Sequence, residues 1–257
     1  MDASWYAAAL PIASAFVGGF LPAMVWLWFF HKEDRHPEPK AIVALAFVAG
    51  ITAVAPALLL ERAILPFTEQ DTTAVTEFSP TAATLLAWAI IEEALKWFLV
   101  WAFVLWRKAV DEPLDIPLYL ITSALGFAAA ENMLFLWGPF TEGMGGVAVL
   151  QGSLRFMGAT LLHVTASGIL GILLTVSAYK PRPLRRLWLF GGFATAVGVH
   201  LSFNLALLHL SWIPPVVVFA AVWLLIVSLL AGLEYTKRSP LINRPWRFRK
   251  RKPVVYL

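Results

Sequence analysis

Seven apolar stretches, each long enough to cross a bilayer, leave this 257-residue chain little from which to build a soluble domain. They lie near 5–30, 41–64, 82–106, 117–137, 150–178, 186–208 and 212–233, and about 20 apolar residues suffice for a spanning helix. The loops between them are short. The expected fold is all-α: a polytopic membrane helix bundle of about seven transmembrane helices. One membrane-embedded domain covers 1–236, and a basic tail covers 237–257. Met1-Asp2-Ala3-Ser4 lacks a basic leader region, so the first stretch reads as a spanning helix rather than a cleaved signal.

Composition agrees with a membrane solvent. Residues of hydrophobic type make up 60% of the chain and charged ones only 14%, far from a soluble average. Mean hydropathy is +0.74. Twelve Trp and eighteen Phe suit interfacial and lipid-facing belts. Cysteine is absent, which excludes disulfides, thiolate metal sites and a cysteine nucleophile.

Basic residues alternate between loops and set an orientation. Lys32, Arg35 and Lys40 lie in one loop, Arg107 and Lys108 in another, and Lys180, Arg182, Arg185 and Arg186 in a third turn. Lys237, Arg238, Arg244, Arg247, Arg249, Lys250, Arg251 and Lys252 crowd the tail. The intervening loops carry acids instead: Glu69, Asp71, Glu77 and Glu142. This predicts an outer N-terminus and a cytoplasmic C-terminus. The tail's expected partner is the anionic lipid of the cytoplasmic leaflet, at about 1 kcal/mol per nearby base. Nucleic acid is not expected, because the cluster abuts a spanning helix.

Charge inside the apolar stretches is what points to chemistry. A charged side chain at bilayer depth costs several kcal/mol, so such residues face the bundle interior and mark function. Glu92, Glu93 and Lys96 lie on the third stretch, Glu131 and Asn132 on the fourth, His163 on the fifth, and His200 and Asn204 on the sixth. Glu92 and Lys96 are four residues apart and share a face, as do His200 and Asn204. Small residues surround them: Gly126, Ala128, Ala129, Ala130, Ala159, Ser167, Gly168 and Gly171. Small residues let membrane helices approach closely. Counted at ~1.5 Å per residue, Glu92 lies ~16 Å below the outer boundary, and Glu131, His163 and His200 lie ~9–12 Å below it. Four polar faces thus reach similar depth.

Three carboxylates and one lysine leave two negative charges in a poorly solvated site, which a divalent cation would neutralise. Zinc suits a His, His, carboxylate set with an open position, and it acidifies a water molecule whose proton a nearby Glu takes. His31 and His36 are expected in a cytoplasmic loop and His209 at an outer turn, all solvated. Arg62, beside Glu61, and Arg155 are expected near the outer interface.

At these residues the chain resembles the PrsW family of intramembrane metalloproteases, distant relatives of the CAAX-processing and bacteriocin-protection proteases. The matching segments are Glu92-Glu93-Ala94-Leu95-Lys96 and Gly126-Phe127-Ala128-Ala129-Ala130-Glu131-Asn132. They continue with His163 ahead of Ser167-Gly168, and with His200-Leu201-Ser202-Phe203-Asn204. Asp34-Arg35-His36-Pro37-Glu38-Pro39 looks like that family's acidic, proline-rich first loop. The CAAX enzymes carry His where this chain has Glu131. The resemblance implies a helical protease that cleaves a membrane-anchored substrate. The family's best-known member cuts a single-span anti-sigma factor on the extracytoplasmic side.

The reading is a zinc-dependent intramembrane endopeptidase. Glu131, His163 and His200 are its expected metal ligands. Glu92 is the expected general base, with Glu93 as a ligand or alternative base. Lys96 balances the carboxylates, and Asn204 supports the oxyanion. A proton- or cation-coupled transporter would use the same acids and histidines as a relay, but the chain lacks the internal repeat common in transporters. A non-catalytic membrane scaffold and a lipid hydrolase are the other readings. Metal content separates hydrolase from transporter or scaffold.

Overall fold

The computed structural model describes residues 3–32, 36–68 and 80–238. Within them the chain is helical throughout, in eight elements: α1 (Ala3–Lys32), α2 (Lys40–Thr68), α3 (Ala82–Phe103), α4 (Asp115–Thr141), α5 (Gly145–Met157), α6 (Ala159–Ala178), α7 (Arg182–Leu208) and α8 (Pro215–Arg238). Among the described residues, six helical stretches are long and apolar enough to cross a membrane, with α5 and α6 counted as one. The other long helix, α3, is not one of them. Its 22 residues would reach about 33 Å at ~1.5 Å per residue, but Glu92, Glu93 and Lys96 interrupt its apolar run. All three are buried, at 7%, 0% and 1% exposure.

The expected fifth span, 150–178, is broken. α5 stops at Met157 and α6 begins at Ala159, with Gly158 between them at φ −118° and ψ −75°. A side chain at Gly158 would bring its Cβ within 2.4 Å of the Phe219 ring on α8. Glycine therefore lets the break lie flat against that helix. α6 alone, with 20 residues, is long enough to span.

α4 is the axis of the bundle. Every residue from Asp115 to Ala129 is buried, and α1, α2, α3, α5 and α6 pack around it. Lipid gives no hydrophobic reward for helix pairing, so contact depends on close backbone approach. Gly50 and Gly126 provide it. A Cβ at Gly50 would lie 1.8 Å from the Ser123 carbonyl oxygen, and one at Gly126 would lie 2.0 Å from that of Phe47. Both obstacles are backbone and cannot rotate away. Gly126→Leu should therefore part α2 from α4 and destabilise the detergent-solubilised protein by more than the ~1–3 kcal/mol of ordinary overpacking. Thermal unfolding measures this, and an unchanged midpoint would contradict the packing described.

The outward surfaces are apolar, as lipid requires. Leu10, Leu59, Phe67, Phe190 and Leu224 are each at least 67% exposed. Trp28, Trp106 and Trp212 are exposed near helix ends, where interfacial aromatics sit.

The end of the bundle holding the 36–39 loop is tied by polar contacts. Tyr119 donates to Glu38, His36 pairs with Glu112 at 2.8 Å, and Asp115 accepts the backbone N–H groups of Asp111 and Glu112 at 2.7 and 2.6 Å. Asp34 and Arg35 of the proline-rich loop lie outside the described residues. All three histidines expected in solvent thus have partners: besides His36, His31 Nε2 lies 2.8 Å from Thr122 Oγ1, and His209 Nε2 donates to the Pro80 carbonyl at 2.7 Å. Lys237 and Arg238, assigned by sequence to the tail, still belong to α8. The rest of the tail, 239–257, lies outside the described residues.

Candidate metal centre

Four helices deliver the centre: α3 gives Glu92, Glu93 and Lys96, α4 gives Glu131, α6 gives His163, and α7 gives His200. Counted at ~1.5 Å per residue, Glu92, Glu131, His163 and His200 lie ~6–15 Å from the helix ends formed by Ala82, Thr141, Ala159 and Leu208. The centre is thus displaced toward one face of the bundle.

Each histidine is fixed through one nitrogen and leaves the other facing inward. His200 Nδ1 lies 2.9 Å from Glu93 Oε1. His163 Nε2 lies 3.1 Å from Glu131 Oε2. The remaining nitrogens, His200 Nε2 and His163 Nδ1, are each 3.9 Å from Glu92 Oε2. The two rings meet almost perpendicularly, 5.1 Å between centroids. Glu93 is fully buried and well supplied: Lys96 Nζ donates to Oε1 at 2.5 Å and Ser167 Oγ to Oε2 at 3.3 Å. Lys96 also lies 3.0 Å from His163 Nδ1 and over the Phe127 ring at 4.7 Å.

Glu92 contrasts with its neighbour. Its Oε2 is buried without a hydrogen-bond partner, and its nearest polar neighbours, including Lys96 Nζ, are 3.9 Å away. An unpaired carboxylate oxygen in a dry interior is costly. A cation among Glu92, His163 and His200 would satisfy it. One ligand atom from each of the three lies within 4.8 Å of the others. Ligand atoms about 2.0–2.2 Å from a tetrahedral zinc are separated by roughly 3.4 Å, so the observed 3.9 Å needs only a small contraction. The donor set fits a divalent ion.

The geometric donor set differs from the sequence expectation in one member. Glu92 faces both histidines, whereas Glu131 reaches only the far nitrogen of His163. The cause is Arg155, which the sequence placed at the interface. Its Nη2 is 2.6 Å from Glu131 Oε2, its Nε donates to Asn132 Oδ1 at 2.5 Å, and its guanidinium lies 3.9 Å from the Phe135 ring centroid. Asn132 in turn donates to Thr160 Oγ1 at 3.0 Å. Glu61 was also read as an interface residue. It is half-buried and interacts electrostatically with Glu131 and Lys96, while Arg62 beside it is exposed. An acid near the end of an apolar stretch, one residue from a base, offered no signal of that inward direction. Asn204 follows His200 by one turn on α7 and is half-buried.

The chain was compared with known proteins. The family model for the PrsW family intramembrane metalloproteases matches residues 38–231, which takes in every site residue named above. A curated relative, Protease PrsW of Geobacillus kaustophilus, is 33% identical over 119 residues. That match covers 46% of this chain and only half of the relative. Protease PrsW of Bacillus subtilis is 26% identical over 197 residues, 76% of this chain and 84% of the relative. Protease PrsW of Shouchella clausii is 26% identical over 63% of this chain and 67% of the relative. No solved structure matches significantly. With its buried carboxylate and histidine centre inside a multi-pass helical bundle, the chain belongs to the PrsW family of intramembrane metalloproteases.

Proposed function

We propose that the chain hydrolyses a peptide bond of a membrane-anchored protein with a zinc ion held by Glu92, His163 and His200. The observation that carries this reading is the buried, unpaired Glu92 oxygen, 3.9 Å from an inward nitrogen of each histidine. The chemistry such an ion supplies is Lewis acidity toward a carbonyl and acidification of a water molecule.

The protein's own groups prepare the rest. Glu93 accepts the Nδ1 proton of His200 and so keeps Nε2 free to bind. Glu131 accepts the Nε2 proton of His163 and so leaves Nδ1 unprotonated, a lone pair that Lys96 Nζ faces at 3.0 Å and would yield to an ion. Such outer partners fix tautomer and ring orientation. Lys96 neutralises Glu93, which lets that carboxylate stay charged without solvent. With Glu92 occupied as a ligand and Glu93 doubly engaged, Glu131 is the carboxylate left to take the proton of the attacking water. It lies at the edge of the centre, its side chain 21% exposed. Asn204, one turn beyond His200, would donate to the carbonyl oxygen as negative charge develops.

The substrate class follows from the surroundings. A centre enclosed by spanning helices meets polypeptide that is itself in the membrane. The family resemblance points to a single-span anti-sigma factor. The basic-loop alternation puts the face nearer the centre on the outside, with the N-terminus outside and the C-terminus in the cytoplasm. A C-terminal tag should therefore resist labelling on intact cells and become reactive on permeabilisation. Labelling from outside would reverse the orientation.

A substrate helix hides its carbonyls in its own hydrogen bonds, so the scissile segment must unwind. The cut should fall in the outer half of the substrate span or just beyond it, beside a residue that frays a helix. Co-reconstitution with a single-span substrate and mass spectrometry of both fragments locates it. A cut on the cytoplasmic side of the midplane would contradict this placement, and failure of any cut across a panel of such substrates would count against the proteolytic reading.

A further inference from the structure

The centre is closed. Glu92, Glu93, His163 and His200 are at most 7% exposed, and no polypeptide carbonyl reaches them without movement of a helix. α5 is the element built to move. Its 13 residues extend about 20 Å at ~1.5 Å per residue, too short to cross a bilayer. Only Ala148 among them is buried, packed with Ala15 and Leu136. Val147, Val149, Leu150, Leu154 and Met157 are exposed. Glycines flank both ends, and those before the helix have the open space a hinge needs. Gly143 has φ +75°, and a Cβ on it, on Gly145 or on Gly146 would meet nothing within 4 Å. Gly158 is the break before α6.

A single side chain ties this helix to the centre. Arg155 takes Glu131 Oε2 and Asn132 Oδ1 at 2.6 and 2.5 Å and stacks on Phe135, all three on α4. The pair is partly solvated, with side-chain exposures of 19% and 21%. The contact therefore sits at the rim of the centre, where it can open without unpacking the core.

We propose that α5 is the gate through which substrate reaches the centre, and that Arg155 holds it shut by occupying acceptors a substrate needs. This rests on the proteolytic reading above. When α5 withdraws, Glu131 Oε2 loses the guanidinium that covers it. Asn132 Oδ1 becomes an acceptor for a backbone N–H of the unwound substrate. An extended peptide carries unpaired N–H groups, so polypeptide is the ligand this vacated position fits. Arg155 is thus a positioning residue, not a catalytic one.

The chain has no cysteine, so introduced thiols report alone. A Cβ at Gly152 would lie 3.6 Å from the Leu136 side chain, which makes Gly152→Cys with Leu136→Cys a lock between α5 and α4. Oxidised directly to a disulfide, since Leu136 is only 1% exposed and out of a linker's reach, the zinc-loaded protein should keep its metal and cleave a reconstituted single-span substrate at least tenfold more slowly. Reductant should restore the rate. A locked protein that cleaves at the unlocked rate overturns the gate. A second readout does not depend on proteolysis. Spin labels at Val149→Cys on α5 and Leu134→Cys on α4, both exposed positions, should give one narrow distance distribution. Arg155→Ala should broaden it toward longer distances, and Arg155→Lys should broaden it less. Identical distributions in all three proteins overturn the latch. Absence of cleavage in unlocked protein, with the distance response intact, would instead count against the proteolytic reading.

Discussion

Replacing His163 or His200 with alanine should empty the metal site and reduce cleavage to background, while the helix bundle stays folded. The expectation follows from what each histidine leaves behind. Without His200, Glu93 keeps Lys96 at 2.5 Å and Ser167 at 3.3 Å. Without His163, Glu131 keeps Arg155 at 2.6 Å. Glu93 and Glu131 thus keep cationic partners, and Glu92, which loses the ion, still has Lys96 Nζ at 3.9 Å, so no buried carboxylate is left without a nearby cation, the event that unfolds proteins. Two ligands remain in each case, below what a structural or catalytic zinc site uses. Helical circular dichroism and the detergent melting midpoint should therefore change little while metal content collapses. A variant that keeps full metal and full activity would remove that histidine from the centre.

Glu92→Gln and Glu131→Gln should separate two roles for chemically identical side chains. Glu92 faces both inward nitrogens, and its Oε2 has no hydrogen-bond partner, with Lys96 Nζ also 3.9 Å away. Glutamine there removes the charged donor, so metal and activity should fall together. Glu131 contacts only the outer nitrogen of His163. Glutamine there should leave metal in place, weaken its hold through the lost orientation of His163, and lower turnover by roughly a hundred- to ten-thousand-fold, the usual effect of removing a general base. Metal analysis of both variants, paired with turnover, decides the assignment. Metal retained in Glu92→Gln and lost in Glu131→Gln would exchange the roles, which is the distribution the sequence alone had favoured.

That exchange marks where sequence reading stops. The helices were legible because a bilayer allows few alternatives to a long apolar helix. The meeting of Glu92, Glu93, Lys96, Glu131, His163 and His200 was legible because a polar group at depth must turn inward. Which carboxylate faces which nitrogen was not. It depends on Arg155, and the reach of Arg155 depends on the break at Gly158. A glycine inside an apolar stretch ordinarily continues a membrane helix. Here the break is set by Phe219, a residue about sixty positions later in the chain. Glu61 was missed because its proximity to Glu131 and Lys96 is a tertiary fact.

The central claim is that cleavage requires an ion at the Glu92, His163 and His200 centre. The most direct measurement strips purified protein with a chelator in proteoliposomes holding a single-span substrate, then restores zinc while metal content and fragment formation are followed on the same sample. The account predicts about one equivalent of metal per chain, with cleavage that disappears on stripping and returns on refilling. Undiminished cleavage by protein that contains no metal would contradict it.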